Sequence, residues 1–184
     1  RCRMVPPALI ARLRRLRWRS HLVTLLMVLG VLAGAHLWQT RHVPAGVVPD
    51  VQLTMVSGET LRLSAWRARH PGQPVVLHVW AQWCPVCRAE EGSITQLQKD
   101  LPVLTVAMQS GTAAQVLKVL EQRHLPWETA VDADGQLARA LGVRAVPALL
   151  VMDADGQIGA ASVGYTSEMG MRLRWWWVKW TRRS

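Results

Sequence analysis

With three cysteines in 184 residues, the chain cannot rest on a dense disulfide scaffold, and any internal pair leaves one thiol over. Charge is also scarce: 18% of residues are charged against 50% hydrophobic, a balance that excludes wholesale disorder. The length supports one ordinary domain with an appendage and is too short for two full domains. Acidic residues are missing altogether from both ends. None precedes His42, where eight arginines lie, and none follows Met171, where five arginines or lysines lie. The net charge of +10 therefore belongs to the ends, because between them nine basic residues face all twelve acidic ones. A nucleic-acid-binding body carries its basic patch on the folded part, so this distribution argues against that class and for charge beside a membrane.

What is present begins with a long uncharged run. Ser20 to Thr40 contains no Lys, Arg, Asp or Glu over 21 residues. As a helix it would span about 31 Å, close to the ~30 Å hydrocarbon thickness of a bilayer. Its most apolar part is Leu22 to Leu32, and Trp38 stands where an interfacial aromatic anchor would. Seven arginines precede the run and only Arg41 follows it closely. The positive-inside bias then makes 1–21 a basic cytoplasmic N-terminus and 22–38 a single transmembrane anchor, with the rest of the chain across the membrane. Ala33-Gly34-Ala35 has the form of a signal-peptide cleavage site, the rival reading, but the apolar stretch continues through Leu37 and Trp38, which favours retention. Both readings export the remainder. Gly30 and Gly34 form a Gly-x-x-x-Gly pair, which in isolation reads as small residues on a lipid-facing helix. Cys2 lies on the cytoplasmic side in this scheme, apart from the other two cysteines, and is assigned no role.

Pro44, Gly46 and Pro49 mark 39–50 as a linker, leaving 51–184 as the folded domain. Val51 to Val56 and Leu61 to Leu63 flank Ser57-Gly58 as a hairpin, and Val75 to Trp80 is an apolar run suited to a strand buried on both faces. A helix is expected from Pro85 to Leu101, then a strand from Val103 to Met108. A helix from Ala113 to Arg123 follows, with Val116, Leu117 and Leu120 on one face. Gln136 to Leu141 is a short helix closed by Gly142. Ala148 to Met152 and Gln157 to Val163 are strands joined by an Asp-Gly turn. A last helix, Ser167 to Trp180, starts at a Ser cap with Glu168 in its first turn. This alternation predicts an α/β domain with a mixed central sheet flanked by helices. On the last helix Met169, Leu173, Trp176, Trp177 and Trp180 share one face, expected to close on the sheet over its first two turns. Trp175, Lys179, Arg182 and Arg183 add the character of a membrane-surface segment toward its end.

The chemistry concentrates in Trp83-Cys84-Pro85-Val86-Cys87, between the buried strand and the first long helix. A cysteine at a helix N-terminus meets unpaired backbone N–H groups and the positive end of the dipole, and both favour thiolate over thiol. Cys84 is the expected nucleophile. Cys87, one turn on and more buried, is placed to attack a mixed disulfide at Cys84 and release the partner. Pro85 suits the first helical position, where its missing N–H costs nothing. Half of a zinc site is the competing explanation, but the exported part has no second cysteine pair to complete one. A Cu(I) or Zn site built from both thiolates and a histidine stays open. A purely structural disulfide over so short a loop would remove little chain entropy. Asp132-Ala133-Asp134-Gly135 and Asp153-Ala154-Asp155-Gly156 look like pieces of calcium loops. Their twelfth positions are Val143 and Gly164, which cannot supply the needed carboxylate, so both read as turns.

The run Trp80-Ala81-Gln82-Trp83-Cys84-Pro85-Val86-Cys87-Arg88 resembles the active-site segment of the thioredoxin superfamily, and Val146-Pro147 resembles its cis-proline loop. With the single anchor and the Cys-Arg-Ala-Glu run, the chain resembles membrane-tethered TlpA-like disulfide reductases. Val106 to Gly111 and Gly164 to Glu168 look closest to the copper-sensitivity-suppressor (ScsD-like) type. The resemblance implies a thioredoxin-like fold and a redox-active Cys84–Cys87 pair with no other cofactor and no metal. It implies that Glu90 tunes or relays a proton for the pair. Trp83, Pro85, Val86, Val146 and Pro147 would meet the substrate polypeptide. It further implies a bacterial inner-membrane protein with its domain in the periplasm, exchanging disulfides with periplasmic proteins and served by a membrane electron donor or acceptor. Two narrower or different functions accompany it: a reductase dedicated to cytochrome c maturation, and a Cu(I)-binding copper-tolerance module using the same thiolates. His78 departs from the superfamily, which keeps a buried aspartate there, and reads as a core residue rather than a proton relay. The dipeptide Pro85-Val86 is neither thioredoxin's Gly-Pro nor the Pro-His of strong periplasmic oxidants, which leaves the direction of exchange open.

Overall fold

Apolar runs rich in valine, too short for helices, become the centre of a five-stranded sheet in the computed structural model, which describes residues 21–31, 34 and 46–181. Residues 21–31 form a first helix, α1, whose side chains are all exposed. Among the described residues no helix is long and apolar enough to cross a membrane. The basic segment 1–20 and most of the expected anchor beyond 31 lie outside the described residues.

Where the composition suggests a linker through Asp50, the chain is already part of the domain. Val47 bridges Gln157, Val48 is buried, and its N–H donates to the Gly156 carbonyl at 2.9 Å. Strands β1 (Gln52–Thr54) and β2 (Thr60–Arg62) then form the expected antiparallel hairpin. Leu63, expected to end the second strand, instead opens a short helix, α2 (Leu63–Ala68), that buries Leu63 and Trp66 one turn apart. The Asp50 carboxylate accepts the Ser64 N–H at 2.8 Å within its first turn.

The main sheet runs β5-β4-β3-β6-β7. Its centre is β3 (Val75–Trp80), buried at every position and parallel to β4 (Val103–Met108). On its other side lies antiparallel β6 (Ala148–Met152), followed by antiparallel β7 (Ile158–Val163). The edge strand β5 (Thr129–Asp132), parallel to β4, has no counterpart in the sequence reading because its four residues mix Thr and Asp with two apolar positions. Helix α3 (Pro85–Leu97) follows β3 and stops one turn short of the expected Leu101. Helix α4 (Ala113–Gln122) carries a capping box between Thr112 and Gln115, and it turns Val116 and Leu120 inward but leaves Leu117 exposed. Helices α5 (Gln136–Ala140) and α6 (Glu168–Thr181) are the remaining described elements.

Strand alternation sorts the core into two layers. Val75, Leu77 and Val79 face α2 and α5, whereas Val76 and Trp80 face α3, α4 and α6. The two Asp-x-Asp-Gly segments act as turns: Asp132 accepts the Leu137 and Ala138 N–H groups at 3.0 and 2.8 Å, and Asp153 accepts those of Asp155 and Gln157 at 3.1 and 2.8 Å.

Helix α6 overturns its expected orientation. Met169, Leu173, Trp176, Trp177 and Trp180 all point outward, and Met171, Trp175 and Val178 are the residues it buries. Two features select that face. The indole N–H of Trp175 donates to the Pro74 carbonyl at 2.8 Å, and Gly159 on β7 leaves room for Val178. A Cβ at Gly159 would lie 2.6 Å from a Val178 methyl. Gly159→Val should therefore lower unfolding stability by about 1–3 kcal/mol in urea denaturation, with part of the loss recovered by adding Val178→Ala.

Candidate active site

Strand β3, buried on both faces, delivers the chain to the start of α3, and Cys84 occupies the cap position there with extended backbone. Its sulfur takes the role that an oxygen plays in an ordinary cap, accepting the Cys87 N–H at 3.2 Å. Pro85 follows inside the first turn. The Cys84 thiol is directed at the Val146 carbonyl, 3.8 Å away, in a loop whose Val146–Pro147 peptide is cis. Both cysteines are thiols and both are buried, Cys84 at 5% exposure and Cys87 at 2%. Around them Trp83, Pro85 and Val86 are exposed, Trp83 at 58% and Val86 at 41%. The result is a recessed sulfur inside an apolar rim. The expected residues Trp83, Cys84, Pro85, Val86, Cys87, Val146 and Pro147 are thus gathered in one place.

The loop before Cys84 is held by partners that the sequence did not single out. The Trp83 indole donates to the Gln109 carbonyl at 3.1 Å, and the Gln82 N–H donates to Ser110 Oγ at 2.9 Å. Arg123 donates to the Gln82 carbonyl at 3.1 Å while pairing with Glu91 at 2.7 Å. Gln109 and Ser110 lie in Val106 to Gly111, whose only functional sequence signal is its family resemblance. Arg123 and Glu91 carry no sequence signal, because 32 residues separate them.

Glu90 is buried on α3 beneath the pair, and its carboxylate accepts the Thr166 N–H. Thr166 in turn shares a 3.1 Å hydrogen bond with Ser162. Burial raises the Glu90 carboxyl to about 7, with the Thr166 N–H opposing that rise. Burial pushes the Cys87 thiol well above the ordinary thiol range; its hydrogen bond with Cys84 and the charge of Glu90 act in the same direction. His78 is fully enclosed on β3, edge-on to the Trp127 ring at 6.1 Å, with neither ring nitrogen hydrogen-bonded to another described group. Burial lowers it to about 3, so it stays neutral, and no hydrogen bond links it to the cysteines. Among the described residues no cluster of three or more His, Cys, Asp or Glu side chains is arranged to hold a metal ion.

The AhpC/TSA family model matches residues 44–161. The thiol:disulfide interchange protein DsbE of Pseudomonas aeruginosa is 29% identical over 123 residues, covering 64% of this chain and 67% of the relative. Its namesake in Escherichia coli K12 is 29% identical over 139 residues, covering 68% and 75%. The exposed lipoprotein thioredoxin Etrx1 of Streptococcus pneumoniae superposes with a TM-score of 0.58 at 26% identity, over 67% of this chain and 96% of that one. The fold is thioredoxin-like.

Two buried titratable groups make stability depend on pH in opposite senses. An unfolded Glu90 ionises near 4.5 and the folded one near 7, so folding must take up a proton between those values and stability falls as pH rises through them. Glu90→Gln should remove on the order of 2 kcal/mol of that fall, read as the difference between variant and parent in urea unfolding from pH 5 to pH 8. His78 has the reverse sign: its unfolded form gains a proton near 6.5 and its folded form only near 3, so stability is lost as pH drops through that window. His78→Leu should shift the acid-unfolding midpoint to lower pH, as followed by circular dichroism.

Proposed function

The chain belongs to the AhpC/TSA family and is a disulfide oxidoreductase, and on that premise we propose that Cys84 and Cys87 exchange disulfides with partner polypeptides. The observation that carries this is the Cys84 sulfur itself, which caps α3, accepts the Cys87 N–H and faces the Val146 carbonyl within an exposed apolar rim. In the reducing direction the Cys84 thiolate attacks one sulfur of a partner disulfide. A Cys84–partner bond forms, the partner S–S bond breaks, and one partner thiolate leaves. Cys87 then gives up its proton and attacks the Cys84 sulfur, forming the Cys84–Cys87 disulfide and freeing the second partner thiolate. Two electrons pass from the pair to the partner, and the oxidised pair run backward accepts them from partner thiols.

Glu90 suits the proton step. It is the buried carboxylate whose charge Cys87 feels, and its ionisation near 7 lets it take a proton at working pH. Trp83, Pro85 and Val86 supply apolar contact for the substrate chain, and the Val146–Pro147 loop supplies backbone groups beside the reacting sulfur.

We place the domain in the periplasm on a single inner-membrane anchor over 22–38, with a membrane protein as electron donor or acceptor. The uncharged run from Ser20 to Thr40 and the arginines before it support that arrangement. The likeness to the copper-sensitivity-suppressor type rests on Val106 to Gly111 and Gly164 to Glu168. A knockout losing only cytochrome c assembly would narrow the function to that pathway.

Cys87→Ala leaves the first attack possible and removes the second. Expressed in a cell with its native partners, that variant should accumulate covalent complexes that dissolve with reductant, and Cys84→Ala should accumulate none. Stoichiometric Cu(I) binding by the parent without any trapped partner would instead assign the thiolates to metal binding.

A further inference from the structure

We propose that the outward face of α6 docks on an anionic lipid bilayer surface. The helix buries Met171, Trp175 and Val178 and leaves Met169, Leu173, Trp176, Trp177 and Trp180 exposed, each at 50–66%. Five large apolar side chains in one stripe form a continuous surface, and such surfaces mark interaction sites rather than ordinary solvent-facing helix. The stripe is ordered within itself. Trp176 and Trp180 stack with ring centres 6.4 Å apart, and Trp175 meets Trp176 edge-on at 6.2 Å.

The chemistry of the stripe selects the occupant. Past Glu168 the chain has no acidic residue, and the described part of α6 carries Arg172, Arg174 and Lys179. Arg172 is spent on Glu168 and Asp100, both at 2.8 Å. Arg174 donates to the Gly170 carbonyl, and the Lys179 ammonium sits 4.6 Å from the centre of the Trp175 ring and 5.9 Å from that of Trp176, so neither cation is paired with a carboxylate among the described residues and Lys179 lies against the aromatic patch. A second copy of this face would bring like charges together, which opposes self-association. The headgroup region of an anionic bilayer takes indole rings at its boundary and cations at its phosphates, matching both features.

Docking in this way also orients the redox pair. Trp175 is tied to the Pro74 carbonyl before β3, and Arg172 to Asp100 after α3. The Trp-rich end of α6 therefore lies at the opposite end of the sheet from Cys84, separated by the ~20 Å rise of the 13-residue α3. Bilayer contact there leaves the cysteines free for protein partners. It does not depend on whether 22–38 spans the membrane.

The test uses the full chain with phosphatidylcholine vesicles containing about 30% phosphatidylglycerol and a phospholipid with a photoactivatable acyl chain, the adducts being mapped by mass spectrometry. Adducts should concentrate in residues 169–180 relative to the exposed surface of α4. Lys179→Gln should lower them about fivefold, the loss expected for one surface charge near an anionic leaflet, and vesicles of phosphatidylcholine alone should lower them further because every cation then loses its partner. The triple variant Trp176→Ser, Trp177→Ser, Trp180→Ser should bring them to the α4 level, with urea unfolding confirming that it folds. Labelling of 169–180 no greater than that of α4, or equal in phosphatidylcholine alone, overturns the proposal. So does a concentration-dependent dimer in sedimentation that protects 169–180 from label.

Discussion

The structure turns on one hydrogen bond, from the Cys87 N–H to the Cys84 sulfur. A helix N-terminus leaves backbone donors without intrahelical partners, and most helices satisfy one of them with a serine, threonine or aspartate oxygen. Here the acceptor is the atom that reacts. Capping and nucleophilicity thus fall on the same sulfur atom, and the geometry of attack is set by the fold. Everything upstream serves that placement. A strand enclosed on both faces delivers the chain in a fixed direction, and Gln109, Ser110 and Arg123 hold the short connection between them.

Around that sulfur the protein keeps polar groups in places that disfavour charge. Glu90 and His78 are both enclosed, and burial moves them in opposite directions, the acid up to about 7 and the imidazole down to about 3. Near neutral pH the histidine is therefore neutral and the carboxyl is balanced between its two forms. Among the described residues only the carboxyl has a hydrogen-bond partner, the Thr166 N–H just before α6. The segment that leads into the exposed aromatic helix is thus the same one that holds the acid beside the cysteines, a direct structural link between the two ends of the domain. His78 stands where the thioredoxin superfamily resemblance implies an aspartate, and the apolar layer formed by Trp80, Trp127 and their neighbours encloses it without a counter-charge.

Much of the architecture was legible beforehand because its signals are local. Valine-rich runs, a Ser-Gly hairpin, Asp-Gly turns and a cysteine pair at a strand-to-helix junction each declare themselves within a few residues. The elements that escaped are those stabilised by distant contacts. Helix α2 depends on Leu63 and Trp66 reaching the core, and β5 on its pairing with β4, neither of which leaves a periodic trace in so few residues. Val47 and Val48 looked like linker because their pairing with the turn before β7 lies more than 100 residues away.

The amino-acid order by itself determined that α6 would be a helix and that Cys84 would begin another; that Val146-Pro147 would face Cys84 from a separate segment followed only from the resemblance to the thioredoxin superfamily. It did not determine which side of α6 points inward. Two stripes with helical spacing coexist there, Met169-Leu173-Trp176-Trp177-Trp180 and Met171-Trp175-Val178, and the first carries more apolar surface. Periodicity alone favours the larger stripe. The tertiary structure chose the smaller one, because a glycine on β7 admits Val178 and the Pro74 carbonyl receives the Trp175 indole. Close packing and one satisfied buried donor outweighed total hydrophobicity.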